Sequence, residues 1–379
     1  MNKGLYIHIP FCTKKCIYCD FYSGGVNIAD WNLFIEALLR ELEIRKSELP
    51  GMPETLYIGG GTPSLIPEKN FITLIEGINR IYNQKIIFKE FTIEANPEDI
   101  NKSKLDTWKA GGVNRVSLGV QSFNENELKI IGRRMSPENI LNSYELLSSF
   151  FENVSVDVIY GLPSQTIESW IETMERIISL TPQHISAYSL MTENNTALNL
   201  LIRKNKLQLP DDNEWNEMWK HLIDVMRKNN YEHYEISNFC LKGFRSIHNS
   251  SYWDGSPYLG LGPSAHSYDG FKTRRFNPSD IKTYLEAFKD SNTKFHPYFS
   301  SETLTELERR EEMIMTGLRT NSGIDLDLFA KNWGVNQQEI LMKKARKHIE
   351  RGDLQKRGNA LFIKEESYIV SDNIISDLF

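Results

Sequence analysis

The sequence predicts an α/β protein: a partial, TIM-like (β/α)6 barrel followed by a smaller α+β, winged-helix-like C-terminal region. Three observations predict it. Between residue 5 and about residue 190, short apolar runs alternate six times with helical patterns, and strand–helix alternation with crossovers of this length builds a parallel sheet. Inside each run polar and apolar residues alternate, where a strand buried on both faces would read as unbroken apolar. Past residue 300 the pattern turns helical and closes on short strand-like runs, the outline of two helices and a wing.

The elements follow in order. Residues 5–9 form the first strand, and the helix after it starts near Trp31, where Trp31, Phe34, Ile35, Leu38, Leu39 and Leu42 recur as one apolar stripe. Residues 56–58 lead into Gly59-Gly60-Gly61-Thr62-Pro63 and a second helix. Residues 91–94, 116–120, 154–159 and 185–189 repeat the scheme, and the helix after the fifth strand carries Ile167, Trp170, Ile171, Met174, Ile177 and Ile178 on one side. Leu5, Ile7 and Ile9 share one strand face and Tyr6 and His8 the other; Phe91 and Ile93 oppose Thr92 and Glu94; Val154, Val156 and Val158 oppose Ser155 and Asp157. The apolar face meets the helices, so the polar face lines the inside, where a complete barrel would be filled with branched apolar side chains. An interior bearing Tyr6, Glu94, Gln121, Asp157 and Tyr188 either satisfies itself with water or holds a polar occupant. Five strands with the same bias favour the occupant.

Between the first strand and its helix lie Cys12, Cys16 and Cys19, spaced C-x3-C-x2-C. Three thiolates on one loop can hold three irons of a four-iron, four-sulfur cluster and leave the fourth iron open, whereas clusters that only carry electrons are usually closed by a fourth Cys. A zinc site would use the same soft ligands but needs a closed tetrahedron. Its fourth ligand would have to be Cys240, more than two hundred residues away, or His8.

The chain has 379 residues, 40% hydrophobic and 25% charged, ordinary for a globular protein with one large domain and one or two small ones. With 44 Lys and Arg against 50 Asp and Glu, the net charge of −6 argues against a general phosphate-binding surface. Four cysteines, three in one motif, indicate thiolate ligands in a reducing compartment rather than a disulfide framework. The short apolar run at the N-terminus predicts no signal peptide, and no run reaches the ~18 apolar residues of a membrane span. A cytoplasmic location is expected.

The C-x3-C-x2-C loop between strand and helix resembles the signature of the radical S-adenosylmethionine (SAM) proteins, in which SAM chelates the open iron and an electron cleaves its sulfonium. Tyr6 before His-Ile-Pro-Phe-Cys, Gly59 to Pro63, Ile93-Glu-Ala-Asn-Pro97, Leu118-Gly-Val-Gln-Ser-Phe123, Arg133 and Asp157-Val-Ile-Tyr-Gly-Leu-Pro163 narrow the resemblance. In that order they resemble the oxygen-independent coproporphyrinogen III oxidase family and its haem-chaperone relatives, the HemW type, over essentially the whole chain. The resemblance implies that Cys12, Cys16 and Cys19 ligate a [4Fe-4S] cluster. It implies SAM contacts, in one or two sites, from Tyr6, Tyr18, Gly60, Gly61, Thr62, Glu94, Gln121, Arg133, Asp157 and Ser189. Those roles are chemically apt: glycines admit a close ligand, carboxylates accept from an ammonium or ribose, and Arg133 pairs with a carboxylate unless it and Arg134 are a solvated pair. Alone, Gly59 to Pro63 would read equally well as a turn.

Beyond residue 230 the chain changes character, with a short aromatic strand candidate at 231–236. Division is expected at 1–230 for the barrel, 231–300 for a connecting region and 301–379 for the small C-terminal unit. The string His248-Asn249-x-x-Tyr252-Trp253 resembles the haem motif of the chaperone branch, so His248 becomes the candidate iron ligand at the open side of the barrel. By residue type alone it reads as a packed corner; His233, His266 and His296 are further candidates. The tail is expected to end in a strand pair near 361–363 and 368–370. Its basic stretch around 342–350 reads as a solvated helix face rather than a nucleic-acid surface.

Three functions follow: a haem chaperone handing haem to an acceptor protein, with a second copy of the chain as a further partner; a coproporphyrinogen III decarboxylase; and a nucleic-acid-binding redox sensor. The oxidase branch resembles C-x3-C-x2-C-x-C where this chain has Phe21, and it carries an N-terminal extension where the motif here starts at Tyr6. With the haem motif, these features favour the chaperone, and the acidic balance disfavours the sensor.

Overall fold

The computed structural model describes residues 2–25, 30–133, 135–289 and 299–379. Six strands, β1 (Gly4–Ile9), β2 (Thr55–Gly60), β3 (Glu90–Ala95), β4 (Arg115–Gln121), β5 (Val154–Tyr160) and β6 (His184–Ser189), lie side by side in chain order and pair in parallel. Helices cross between them. The first, Trp31–Arg45, starts where the Asp30 side chain accepts from the amides of Asn32 and Leu33, both at 3.1 Å, and buries Phe34, Ile35, Leu38, Leu39 and Leu42. Ile167–Leu180 starts at a Thr166–Ser169 capping box and buries Trp170, Met174 and Ile177. The apolar strand face meets these helices as expected: Leu5, Ile7, Ile9, Phe91, Ile93, Val116, Leu118, Val120, Val154, Val156 and Val158 are all 0% exposed.

The sheet does not stop at six strands. β7 (Glu232–Glu235) and β8 (Asn238–Cys240) form a hairpin whose second strand adds antiparallel to β6. At the other edge β9 (Tyr258–Leu261) pairs with β1 as a seventh parallel strand, and β10 (His266–Tyr268), β11 (Thr273–Phe276) and β12 (Ser300–Thr303) continue antiparallel from it. The order is β12-β11-β10-β9-β1-β2-β3-β4-β5-β6-β8-β7. A buried ion cluster fastens this extension to the first helix. Glu41, 0% exposed, accepts from Arg45 at 2.6 Å, Asn277 and Tyr284 at 2.8 Å and the Gly262 amide at 2.9 Å.

In the C-terminal region, helices Glu306–Leu318, Leu326–Trp333 and Val335–Arg351 surround a small sheet of β13 (Ile324–Asp325), β14 (Leu354–Arg357) and β15 (Ala360–Ile363), ordered β13-β15-β14. This is helix–strand–helix–helix–wing connectivity. The expected strand at 368–370 is instead a 3-10 turn spanning Glu365–Val370, which buries Tyr368, and the partner of Leu361 to Ile363 is Leu354 to Lys356. Gly358, in the left-handed region at φ 58°, lies in the tight connection that allows the closer pairing to form. The unit rests on β7, where the Asn321 amide donates to the Tyr234 carbonyl at 3.0 Å and the Ile236 amide to that of Arg319 at 3.1 Å, covering a sheet edge.

Candidate cofactor chamber

The cysteine loop leaves the C-terminal end of β1. It closes on itself through the Gly24 amide, which donates to the Pro10 carbonyl at 2.7 Å, and it is braced by the Ile17 amide on Ile131 at 3.3 Å. Cys12, Cys16 and Cys19 are free and half-buried. Among the described residues no three His, Cys, Asp or Glu side chains converge on one ion-sized point.

The glycine run packs directly against this loop. The Gly61 amide donates to the Ile9 carbonyl at 2.7 Å, and a Cβ on Gly61 would stand 2.8 Å from the Phe11 carbonyl and 3.0 Å from Cys12 Sγ. Gly60 has φ 113°, which L side chains rarely adopt. Thr62 Oγ1 donates to Cys12 Sγ at 3.4 Å. Inside the barrel, Glu94 accepts from the Tyr57 hydroxyl at 2.8 Å and the Gly60 amide at 3.0 Å, and burial lifts its carboxyl to about 7. Asp157 accepts from Ser117 at 3.0 Å on both oxygens, and burial raises it too. Tyr6 bonds His8 Nδ1 at 3.1 Å.

At the rim, β4 bulges after Gly119 and puts Gln121 at φ 69°, turning its side chain inward. A Cβ on Gly119 would meet Gln121 Nε2 at 3.0 Å and Arg133 Nη2 at 3.1 Å, so both side chains gather over that glycine. Arg133 donates to Asn96 Oδ1 and bonds Tyr18 in the cysteine loop, and its Nε is sealed from solvent without a partner. A buried guanidinium N–H without an acceptor, beside a glycine cradle and three thiols, fits a carboxylate ligand.

Tyr188, near the end of β6, has the Asp157, Glu235 and Glu94 carboxylates close by and stays 42% exposed.

Tyr6, Glu94 and Asp157 thus lie along the inner face of the strands, Gly60, Gly61, Thr62, Gln121 and Arg133 at or beyond their C-terminal ends with Tyr18 on the cysteine loop, and Ser189 is exposed at the end of β6. His248 does not join them. Expected at the open side, it lies instead at the opposite, N-terminal end of the strands and is 0% exposed. Its Nδ1 bonds Thr55 at 2.8 Å and its Nε2 bonds Tyr252 at 2.9 Å, while its ring lies 5.2 Å from that of Tyr57. The reason is the cap of its helix, Ile247–Trp253. Glu90, the first residue of β3, accepts from the Ser246 hydroxyl at 3.0 Å and the amides of Ile247 at 2.6 Å and His248 at 3.1 Å, holding that helix as a floor under the barrel. Burial pulls the imidazole down to about 3. Arg134 and His296 lie outside the described residues.

Sequence reasoning missed Tyr57, Asn96, Glu90 and Arg115. Tyr57 alternates with Leu56 and Ile58, the period that marked the other strands. Asn96 stands inside a motif already singled out. Glu90 and the buried Arg115 start their strands, where no local pattern separates a floor residue from a loop residue.

Six parallel strands, a three-cysteine loop at their C-terminal ends and a polar inner face define the radical SAM fold. Residues 6–177 match the radical SAM superfamily model and residues 304–367 the HemN C-terminal domain model. In structure the chain is similar to the coproporphyrinogen III oxidase HemN of Escherichia coli, with a TM-score of 0.83 and 21% identity, covering 100% of this chain and 90% of that one. In sequence it is similar to the haem chaperone HemW of Bacillus subtilis, 33% identical over 98% of both chains. The HemW of Lactococcus lactis is 32% identical, over 98% of this chain and 96% of that one. The chain belongs to the HemW haem-chaperone family. Among its described residues no helix is long and apolar enough to cross a membrane.

Proposed function

We propose that this protein is a haem chaperone: it binds haem and transfers it to an acceptor protein by direct contact, while carrying a [4Fe-4S] cluster and SAM beside the barrel chamber. The observation that carries this reading is 33% identity to a haem chaperone along 98% of both chains. Cys12, Cys16 and Cys19 would hold the cluster. Arg133 would pair with the SAM carboxylate, Gly60 and Gly61 would admit its amino group, and Glu94, Gln121, Asp157, Tyr6, Tyr18, Thr62 and Ser189 would line its nucleoside. When bound, the cluster supplies an open iron that chelates SAM and an electron for its sulfonium; the chain's part is to orient SAM and keep bulk water from the mouth. Four free cysteines suit the reducing cytoplasm.

The alternative, decarboxylation of coproporphyrinogen III, is disfavoured by Phe21, an exposed phenyl ring where the oxidase branch has a further Cys. Anaerobic cluster reconstitution followed by haem titration tests the reading. Haem binding and transfer to an apo-haemoprotein are expected, with no turnover of coproporphyrinogen III. Turnover without haem transfer would replace the chaperone with the oxidase.

A further inference from the structure

We propose that haem is carried on the concave face of the sheet beside the chamber, with His266 as the imidazole that ligates its iron. This rests on the haem-chaperone reading above. The first ground is the inventory of imidazoles. His8, His184, His233, His248 and His348 are each 8% exposed or less. Four of these use both ring nitrogens: His8 on Tyr6 and Tyr22, His184 on Ser155 and Tyr234, His233 on Glu365 and Ile236, and His248 on Thr55 and Tyr252. His348 is bonded to Asp377, and His221 has its Nε2 sealed inside the protein. His266 alone among the described histidines is exposed, with no hydrogen bond on either ring nitrogen. Iron needs one of those lone pairs.

The second ground is register. Ser267 points to the helix side, where it bonds Arg45 at 3.0 Å, so its neighbours His266 and Tyr268 point to the concave face. Gly260 pairs with Tyr6, which pairs with Tyr57 in the chamber wall. The backbone of His266 passes so close to Gly260 that a Cβ there would lie 2.0 Å from the His266 carbonyl oxygen. The His266 backbone fills that space, so only glycine at 260 lets β10 pack here, placing His266 two strand spacings, about 10 Å, from Tyr6.

The third ground is the wall a macrocycle would meet. Phe276, opposite His266 on β11, holds its ring 5.6 Å from the imidazole and 25° from parallel, which fixes the imidazole plane. From there the face continues through Tyr268 and Tyr258, 6.4 Å apart, to Tyr252, 4.8 Å from Tyr258. The aromatic strip thus ends on the haem motif, whose helix supplies a wall while its histidine holds the floor.

The test is haem titration of the cluster-loaded protein, followed by ferric-haem electron paramagnetic resonance, in wild type and in His266→Ala, His266→Gln, His248→Gln, His221→Ala and His296→Ala. Both His266 variants are expected to lose the imidazole-ligated signal and to weaken haem binding by at least the roughly tenfold that removing even an outer-shell partner costs a metal site. Added imidazole should restore the signal in His266→Ala. A wild-type spectrum in either His266 variant, or the same loss in His248→Gln, His221→Ala or His296→Ala instead, overturns the assignment, as does a change confined to SAM stoichiometry. Wild type that binds no haem at all sinks the chaperone reading instead.

Discussion

Glu94 and Glu235 are two carboxyls that the fold holds at about 7, in both cases chiefly by burial. A carboxyl raised above its ordinary 4.5 binds its proton more tightly in the native state than in the unfolded one. Its contribution to stability is full below 4.5 and is lost as pH rises to about 7. Glu235, at the end of β7, is bonded by Asn238 and carries no proposed cofactor contact. Urea midpoints of cluster-free protein between pH 5 and 8 should fall more steeply in wild type than in Glu235→Gln, and parallel curves would refute the linkage. Glu41 is a buried acceptor for four donors, and its loss leaves Asn277, Tyr284 and the Gly262 amide without that acceptor and Arg45 with Glu48 as its one remaining carboxylate. Glu41→Ala should cost about 3–5 kcal/mol of unfolding free energy, read from denaturant curves.

At the scale of elements, two short pieces determine whether there is a site at all. The glycine run succeeds because Gly61 lies between the Phe11 and Ile9 carbonyls and Cys12. Backbone oxygens cannot step aside as a flexible side chain can, so Gly61→Ala should displace the cysteine loop. Iron bound per chain after reconstitution should drop, and a full iron count would contradict the placement. The helix Ile247–Trp253 has only 7 residues and depends on Glu90 for its start. Glu90→Gln leaves an amide that accepts fewer bonds, so it should cost about 1–3 kcal/mol and speed amide exchange through residues 247–253. The strand pattern was legible because one face of every strand is apolar. The floor was not. Nothing in the sequence around residue 248 says that a carboxylate more than one hundred and fifty residues earlier will cap it.

At the scale of the molecule, the C-terminal unit closes one sheet edge and meets the floor helix, with the Arg319 guanidinium 5.9 Å over Trp253. Two of the five basic side chains of its helix Val335–Arg351 are ion-paired, Lys347 with Asp377 and Arg351 with Asp353, both at 2.6 Å, and the chain as a whole carries a net charge of −6. Duplex DNA should therefore bind no more tightly than the roughly 10⁻⁴–10⁻⁶ M of non-specific contact, lost with added salt in an anisotropy titration. The twelve-stranded sheet also explains why a six-unit reading was incomplete. β9 has only 4 residues and follows a helix of different origin, so its alternation is too short to register as a seventh parallel strand.

The sequence by itself determined the cysteine loop, the six strand–helix units and the polar lining of the chamber. Each is a local pattern, a spacing or a period that survives without knowledge of distant residues. Only the tertiary structure decided which histidine is sealed and which is open, because burial and hydrogen bonding depend on partners supplied from elsewhere in the chain. His248 stands in the more suggestive motif, yet Thr55, Glu90 and Tyr252 close around it. His266 is one of three further candidates with nothing local to single it out, and it begins β10, where the sheet presents it.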